Sequence, residues 1–382
     1  MFRAIKLKKV ILFLVVVAVL IVGGVCWANF FIRPDTEPSD SIKPEIQMAR
    51  SDDIVTEENQ TENEAAAEES APPDSVSEEK KFIKWVDFDV SYEAMEYALK
   101  LDTASYQSES PLKFTELLAY LGAKYGGDFS RYKKKDMDAL VDKLKSGKSM
   151  REITADMKYY EYYSEAYTAV LGEYVGIYQT EKDGVWEEKY GLKVFSPVAK
   201  GYSFSDFDDF GNKRTYGYAR RHLGHDLMGS IGTPIVAIES GVVEALGWNQ
   251  YGGWRIGIRS FDKKRYYYYA HLRKNHPYQN GLKEGDIVKA GDVIGYLGMT
   301  GYSSKENVNN IDTPHLHFGI QLIFDESQKE GSSEIWVDCY DITKLLQKNK
   351  SEVYKDEEKK EYFRKYDFDE ENLKVCQEGV AQ

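Results

Sequence analysis

The chain has 382 residues and a formal net charge of −13, and 42% of its residues are hydrophobic. This length allows two domains with tails, and three cysteines are too few for a disulfide framework. The acidic balance, with no basic patch interleaved with aromatic residues, argues against a nucleic acid partner. Cys26 lies in an apolar segment, so only Cys339 and Cys376 remain, either to pair or to stay free.

The first 32 residues predict a membrane anchor. Four basic residues precede an uncharged run over residues 10–32, which exceeds the roughly 20 residues that a spanning helix needs. The basic flank favours a cytoplasmic N-terminus. A cleaved signal peptide is the alternative, but its apolar core is usually about 7–15 residues, and residues 25–29 offer no good cleavage site. Both interpretations place the rest of the chain outside the cytoplasm.

Residues 33–80 are predicted to form a disordered acidic linker. They hold fifteen acidic and four basic side chains and no aromatic residue. Such a composition buries too little apolar surface to offset chain entropy. As a flexible coil, the segment would have a reach of about 40 Å.

Residues 81–190 are predicted to form a small helical domain. Ser91 is a candidate N-cap, and Ser110 with Pro111 is typical of a cap and the first helical position. Two glycines, Gly126 and Gly127, should end that helix. A capping box at residues 149–152 should open a helix that runs to about Leu171.

The sequence leaves several roles possible for this helical domain. Tyr159, Tyr160, Tyr162 and Tyr163 favour a helix core over a sugar-stacking surface. With no histidine or cysteine, residues 81–190 can add no strong metal ligand. We expect the domain to limit access of substrate to the next domain, to position the chain on its substrate, or to dock a protein partner. A simple spacer is an equal alternative.

From residue 191 to residue 347 the hydrophobic period changes to two. Several short strands between glycine turns, without a convincing helix, indicate an all-β sandwich or open barrel. Residues 348–382 are mostly charged and predict a helix that frays into a disordered end. The expected fold class is therefore α+β multidomain: a transmembrane helix, a small all-α domain and an all-β domain. The six predicted strands cover residues 235–238, 242–246, 254–258, 265–270, 294–297 and 316–323.

Five of the six histidines fall in three short motifs of the β domain. His222 and Asp226 lie four residues apart across a glycine, which should let the backbone turn so that both side chains reach one ion. His315 and His317 share one face of a predicted strand. Two imidazoles and one carboxylate leave an open position on zinc, as in catalytic sites. A non-haem iron site is the alternative, but there one residue usually separates histidine and carboxylate, so zinc is favoured.

The third motif is Tyr-Ala-His-Leu at residues 269–272. If its strand is regular, Tyr267 and Tyr269 should share the face of His271, with Tyr266 and Tyr268 packed behind. Two further histidines are interpreted as lying outside the site. His225 is expected to be a neighbour and no fourth ligand, and His276, before a proline in a polar loop, is expected to be solvated.

His-x-Gly-x-Asp, Tyr-Ala-His-Leu and His-Leu-His-Phe, in this order, resemble the motifs of the lysostaphin-type (LytM-like) zinc metallopeptidases. The resemblance covers roughly residues 195–345. It implies a zinc peptidase that cuts peptides of bacterial peptidoglycan, with one zinc per chain. It also implies that His222, Asp226 and His317 hold the metal. His271 and His315 then act on the attacking water or stabilise the oxyanion, in an order that the sequence leaves open.

The resemblance and the predicted anchor together imply a single-pass bacterial membrane protein. Its N-terminus would be cytoplasmic and its peptidase domain would face the cell wall. The resemblance also leaves two other functions open. The chain could be a non-catalytic module that binds cell wall or protein, or a scaffold or channel component that keeps an active site. One departure from the family is a long polar loop at residues 302–313, which should border the substrate groove.

Overall fold

A computed structural model describes residues 82–214, 220–329, 331, 333–373 and 375. The predicted anchor and linker and Cys376 lie outside these ranges, whereas Cys339 is fully buried. Within the described ranges, no helix is at once long and apolar enough to cross a membrane.

The described residues contain five helices before the first strand and one late in the chain. Ser91 caps the first helix through its side chain, and Gly126 ends the second with a φ of 67°, both as predicted. The predicted capping box is present, because Ser149 and Glu152 bond each other's backbone. The helices are α1 (Tyr92–Ser105), α2 (Phe114–Tyr125), α3 (Lys134–Lys145), α4 (Met150–Thr154), α5 (Tyr160–Leu171) and α6 (Tyr340–Leu346).

Two helix boundaries differ from the prediction. Helix α2 does not start at Pro111 with Ser110 as its cap; it begins at Phe114, whose backbone N–H donates to Asp102 at 2.6 Å. A side chain from the preceding helix thus replaces the local cap. The helix opened by Ser149 ends at Thr154, and a turn separates it from α5. Tyr163 of α5 is buried, which confirms the core interpretation for this tyrosine.

The strands of the described residues fall into five sheets. The largest has the antiparallel order β10-β7-β8-β9-β12-β13, and β5 pairs with β12 beside β13. The smaller sheets are β16-β1-β2, β11-β6, β14-β15 and β3-β4. The strands are β1 (Val175–Lys182), β2 (Val185–Leu192), β3 (Lys213–Arg214), β4 (Arg220–Arg221), β5 (His225–Met228), β6 (Pro234–Val236), β7 (Gly241–Asn249), β8 (Gly253–Ser260), β9 (Arg265–Ala270), β10 (Ile287–Val288), β11 (Val293–Tyr296), β12 (His315–Leu322), β13 (Ile335–Val337), β14 (Val353–Asp356), β15 (Glu361–Arg364) and β16 (Asp367–Asp369).

The segment predicted as an all-α domain is neither all helical nor separate. It ends in the hairpin β1–β2, and its buried residues belong to the same hydrophobic core as those of the β domain. Arg265 of β9, fully buried, donates to the carbonyl of Ala169 in α5 at 2.6 Å and pairs with Glu239 at 2.8 Å. Helices and sheet therefore form one folded unit.

The charged tail forms strands where a frayed helix was expected. β14 and β15 make a hairpin, and β16 adds to the edge of β1. Phe368 is buried between the rings of Tyr178 and Phe195. Glu361 is buried as well and accepts from the Tyr296 hydroxyl. A few buried side chains thus decide the structure of a segment whose average composition is polar.

Candidate active site

Three predicted metal ligands converge where β5 pairs with β12. The antiparallel register places Asp226 directly opposite His317, and His222 follows the last residue of β4. Their ligand atoms all lie within 4.8 Å of one another. His222 Nε2 is 3.1 Å from Asp226 Oδ1 and 3.1 Å from His317 Nδ1. His317 Nδ1 is 2.9 Å from the same carboxylate oxygen.

This triangle of donors fits a tetrahedral metal ion. Ligands held about 2.0–2.1 Å from one tetrahedral ion lie roughly 3.3 Å apart, so the three atoms need to separate by only a few tenths of an ångström. Two imidazole nitrogens and one carboxylate oxygen are the donor types of zinc. His222 and Asp226 are buried and His317 is partly exposed toward the groove, which leaves one side of the triangle open.

The glycine between His222 and Asp226 serves a different purpose from the one predicted. Its φ is not positive, so it makes no special turn. A Cβ at Gly224 would lie 2.5 Å from Cε1 of His317 and 2.8 Å from the carbonyl oxygen of Phe318. Glycine is required here because β12 approaches the motif closely.

Two further residues hold the ligands in place and were missed by the sequence analysis. Asp209 Oδ1 lies 2.9 Å from His222 Nδ1. Because a carboxylate can only accept, Nδ1 carries the proton and Nε2 keeps its lone pair for the metal. Arg214 donates to Asp226 Oδ2 at 2.9 Å, which leaves Oδ1 for the metal. No motif marks either residue, since they lie 13 and 8 positions before His222.

The electrostatic setting keeps Asp226 ionised. Burial, the largest influence, would raise the pKa of this carboxyl, but hydrogen bonds with His222 and His317 outweigh it. The pKa of Asp226 therefore lies well below its usual range. Burial lowers the pKa of His317. Both shifts favour the deprotonated forms that metal binding requires.

Replacing Asp209 with alanine should weaken zinc binding by about 10- to 100-fold, because the partner that fixes the imidazole of His222 is lost. Zinc affinity is measured by competition with a chromophoric chelator. Asp206→Ala is the matched control: it removes the carboxylate that lies 3.0 Å from Nε2 of His225, outside the donor triangle. Wild-type zinc affinity in Asp209→Ala would contradict the assignment.

His271 and His315, the two predicted catalytic residues, line the same groove as the donor triangle. His271 Nδ1 is 2.9 Å from the carbonyl oxygen of Thr300, and His315 Nδ1 is 2.7 Å from that of Thr313. Since a carbonyl can only accept, each Nδ1 is a donor, and the Nε2 atom of each ring is the one that can accept a proton. Their ring centroids are 4.8 Å apart.

Burial, followed by the neighbouring His315 and His317, holds the pKa of His271 well below its usual value. The lowered pKa favours the neutral ring, in which Nε2 carries the lone pair. This is the protonation state that a general base needs before the reaction.

The prediction that Tyr267 and Tyr269 share the face of His271 was wrong. Tyr266 and Tyr268 line the groove, whereas Tyr267 and Tyr269 are fully buried. The reason is local, since β9 ends at Ala270 and His271 has a φ of 60°. This left-handed conformation, rare outside glycine, breaks the alternation of the strand.

The remaining histidines lie apart from the site. His225, as expected, lies outside the group of possible ligands, with its Nε2 3.0 Å from Asp206. His276 is not simply solvated. Its Nε2 lies 3.0 Å from the buried Glu361, and its ring stacks on Tyr296 at 5.1 Å.

The site opens into a groove of about 1220 Å³. Residues of the 302–313 loop form part of its wall, as predicted, and the guanidinium of Arg220 lies 4.7 Å from the ring centroid of Tyr302. Among the described residues that line the groove, basic ones outnumber acidic ones. They are Arg214, Arg220, Arg221, Arg255 and Lys329, against Asp226, Asp312 and Glu334.

The helical region takes no part in this groove. Among the described residues, none between 82 and 192 lines it. The helices pack on the sheet through Arg265 and the shared core, and the limit on substrate access stays a prediction.

Comparisons with known proteins match the part of the chain that contains this site. The model of peptidase family M23 matches residues 220–330. The chain is 40% identical over 124 residues to the L-Ala–D-Glu endopeptidase of Bacillus subtilis, covering 32% of this chain and 36% of that protein. It is 40% identical over 115 residues to lysostaphin of Staphylococcus simulans, covering 28% and 21%.

The catalytic domain of lysostaphin has a solved structure. This chain is 33% identical to it and covers 92% of it with 37% of its own length, at a TM-score of 0.29. The match spans only about a third or less of the two curated relatives. Residues 220–330 therefore form a peptidase M23 domain, homologous to parts of lysostaphin and of the L-Ala–D-Glu endopeptidase.

Proposed function

We propose that this chain is an active zinc metalloendopeptidase that hydrolyses peptide stems or cross-links of bacterial peptidoglycan. Peptidases of family M23 are zinc-dependent, and one ion per chain would be held by His222, Asp226 and His317. The observation that carries the proposal is the convergence of this donor triangle with His271 and His315 in one open groove.

The two histidines beside the triangle suit peptide hydrolysis. When bound, zinc supplies Lewis-acid chemistry, polarising the scissile carbonyl and activating water as a nucleophile. Nε2 of His271 or His315 accepts the proton of the attacking water, because Nδ1 of each ring is already committed to a backbone carbonyl. Once protonated, that Nε2–H can donate to the oxyanion or to the leaving amine.

A non-catalytic module that binds wall or another protein is the competing function. A module without activity has no need for all five side chains, yet all five are present and lie around one groove. This favours the enzyme over a module, and over a scaffold or channel component that keeps an active site for a secondary purpose.

We further propose that residues 1–32 anchor the chain in the bacterial membrane, with the peptidase domain facing the wall. The support is the sequence alone: four basic residues and then 23 uncharged ones. N-terminal sequencing of the mature protein tests this. A start near Asn29 would show cleavage and overturn the anchor.

The test of the proposed function is mass spectrometry of muropeptides released from purified cell walls by the zinc-loaded chain. We expect new amino termini within the peptide stems or cross-links. His315→Ala should release about 10²- to 10⁴-fold less while it keeps its zinc, because His315 is a proposed acid or base and not a proposed ligand. Zinc-loaded wild-type protein that binds walls without cutting them would establish the non-catalytic alternative.

A further inference from the structure

Arg255 lies on the floor of the groove, in strand β8. The next residue, Ile256, pairs with Tyr269 of β9, and Tyr269 pairs in turn with Phe318 of β12. These three residues form a row across three neighbouring strands. His317 precedes Phe318 in β12, so it lies on the same side of this row as Arg255, two strands away. With strands about 4.8 Å apart, the backbones of Arg255 and His317 are separated by roughly 10 Å. An arginine side chain and one or two peptide residues can bridge this distance.

Two tyrosines form the surroundings of Arg255. The side chain of Tyr266 lies over Gly257: a Cβ added at Gly257 would be only 1.9 Å from the hydroxyl oxygen of Tyr266. Tyr268 stands between the His317 ring, at 6.0 Å, and the Trp336 ring, at 6.1 Å. The groove thus runs from the donor triangle along aromatic side chains to a guanidinium. Arg255 electrostatically influences both tyrosines.

The guanidinium of Arg255 has hydrogen-bonding capacity left over. Its Nε is buried and has no hydrogen-bond partner within the described part of the chain. Two of the other basic residues of the groove form ion pairs: Arg214 with Asp209 and Asp226, and Lys329 with Glu244. Arg259, four residues further along β8, pairs with Glu326 at 2.6 Å. A buried donor without a partner is costly unless a ligand satisfies it.

The charge of the groove also points to an anionic ligand. The chain as a whole carries −13, yet among the described residues five basic and three acidic side chains line the groove. Two of the basic side chains, Arg214 and Lys329, are paired with carboxylates. A concave site with an excess of basic side chains attracts anionic ligands. The planar fork of arginine matches the two oxygens of a carboxylate.

We propose that the groove takes an acidic peptide, and that Arg255 binds a free carboxylate one or two residues from the scissile bond. This inference rests on the proposed function and adds the chemical class of the substrate. The carboxylate accepts from the Arg255 guanidinium where it lines the groove, while Tyr268 and Trp336 contact the peptide between this point and the donor triangle.

The test compares two synthetic stem peptides that differ only in one group near the scissile bond, a free carboxylate in one and a carboxamide in the other. We expect the zinc-loaded full-length chain to cleave the acid with about 10- to 100-fold higher kcat/KM, mainly through KM. Arg255→Gln should remove this preference, and Arg255→Lys should restore part of it. Arg273→Gln removes an exposed arginine outside the groove and should keep the preference in full.

The outcomes separate the two proposals. If zinc-loaded wild-type protein cleaves neither peptide and no wall, the proposed function fails. If it cleaves both peptides equally well, the function stands and the acidic-substrate inference is overturned. If the preference persists in Arg255→Gln, another group binds the carboxylate. The comparison within wild-type protein is decisive even if a variant folds poorly.

Discussion

Replacing Arg265 with methionine is expected to destabilise the folded chain by about 3–5 kcal/mol. The guanidinium is fully buried, bonds Glu239 through two nitrogens, and reaches Asp262 and the carbonyl of Ala169. Methionine would leave the carboxylate of Glu239 buried without its countercharge. Such an uncompensated charge is among the largest penalties that a single substitution produces.

The measurement is urea unfolding followed by tryptophan fluorescence. Lys344→Ala, which removes a partly exposed pair with Asp341, is the control and should change stability by less than about 1 kcal/mol. The double variant Arg265→Met, Glu239→Leu should recover much of the loss, because it removes both charges. A change in Arg265→Met as small as that in Lys344→Ala would contradict the account.

The contacts of Arg265 also show how the helical region is attached to the sheet. Arg265 joins the sheet to α5, and Tyr167, Leu171 and Tyr174 of the helical region are fully buried in the shared core. A fragment without the helices would expose that core. The region is therefore packed as part of the fold that carries the active site.

The double variant His222→Ala, Asp226→Ala is expected to lose zinc and hydrolysis together. Loss of a residue that only supports a ligand typically costs 10–100-fold in metal affinity, and here two of three ligands disappear. Zinc per chain is measured by elemental analysis after dialysis. The fold should survive, because the shared core that joins helices and sheet contains neither residue.

His315→Ala is the matched comparison for this double variant. It should keep about one zinc and lose hydrolysis by about 10²- to 10⁴-fold, the usual contribution of a positioned acid or base. Stoichiometric zinc retained in the double variant would overturn the ligand assignment. Loss of zinc in His315→Ala would instead add this residue to the ligands.

The sequence predicted the β domain well because its signals are local. The alternation of apolar residues located β7, β8, β9, β11 and β12 to within a few residues, and the spacing of His315 and His317 placed both on one face with Leu316 in the core. The same local rule failed at Tyr266 and Tyr268, since the positive φ of His271 shifts the face.

Features that depend on distant residues could not be predicted. Asp209 and Arg214 support the ligands from a segment without a motif, and Asp102 caps a helix twelve residues later. The tail forms strands because Phe368 and Glu361 find buried partners in other segments. Average composition carries no information about such pairings.

The most direct test of the central claim is a zinc titration of the metal-free chain during hydrolysis of a soluble muropeptide. The account predicts no hydrolysis without metal, a rise in rate in proportion to added zinc, and saturation at about one equivalent per chain, with no rise in His222→Ala, Asp226→Ala. Hydrolysis by the metal-free chain, or none at one equivalent of bound zinc, would contradict it.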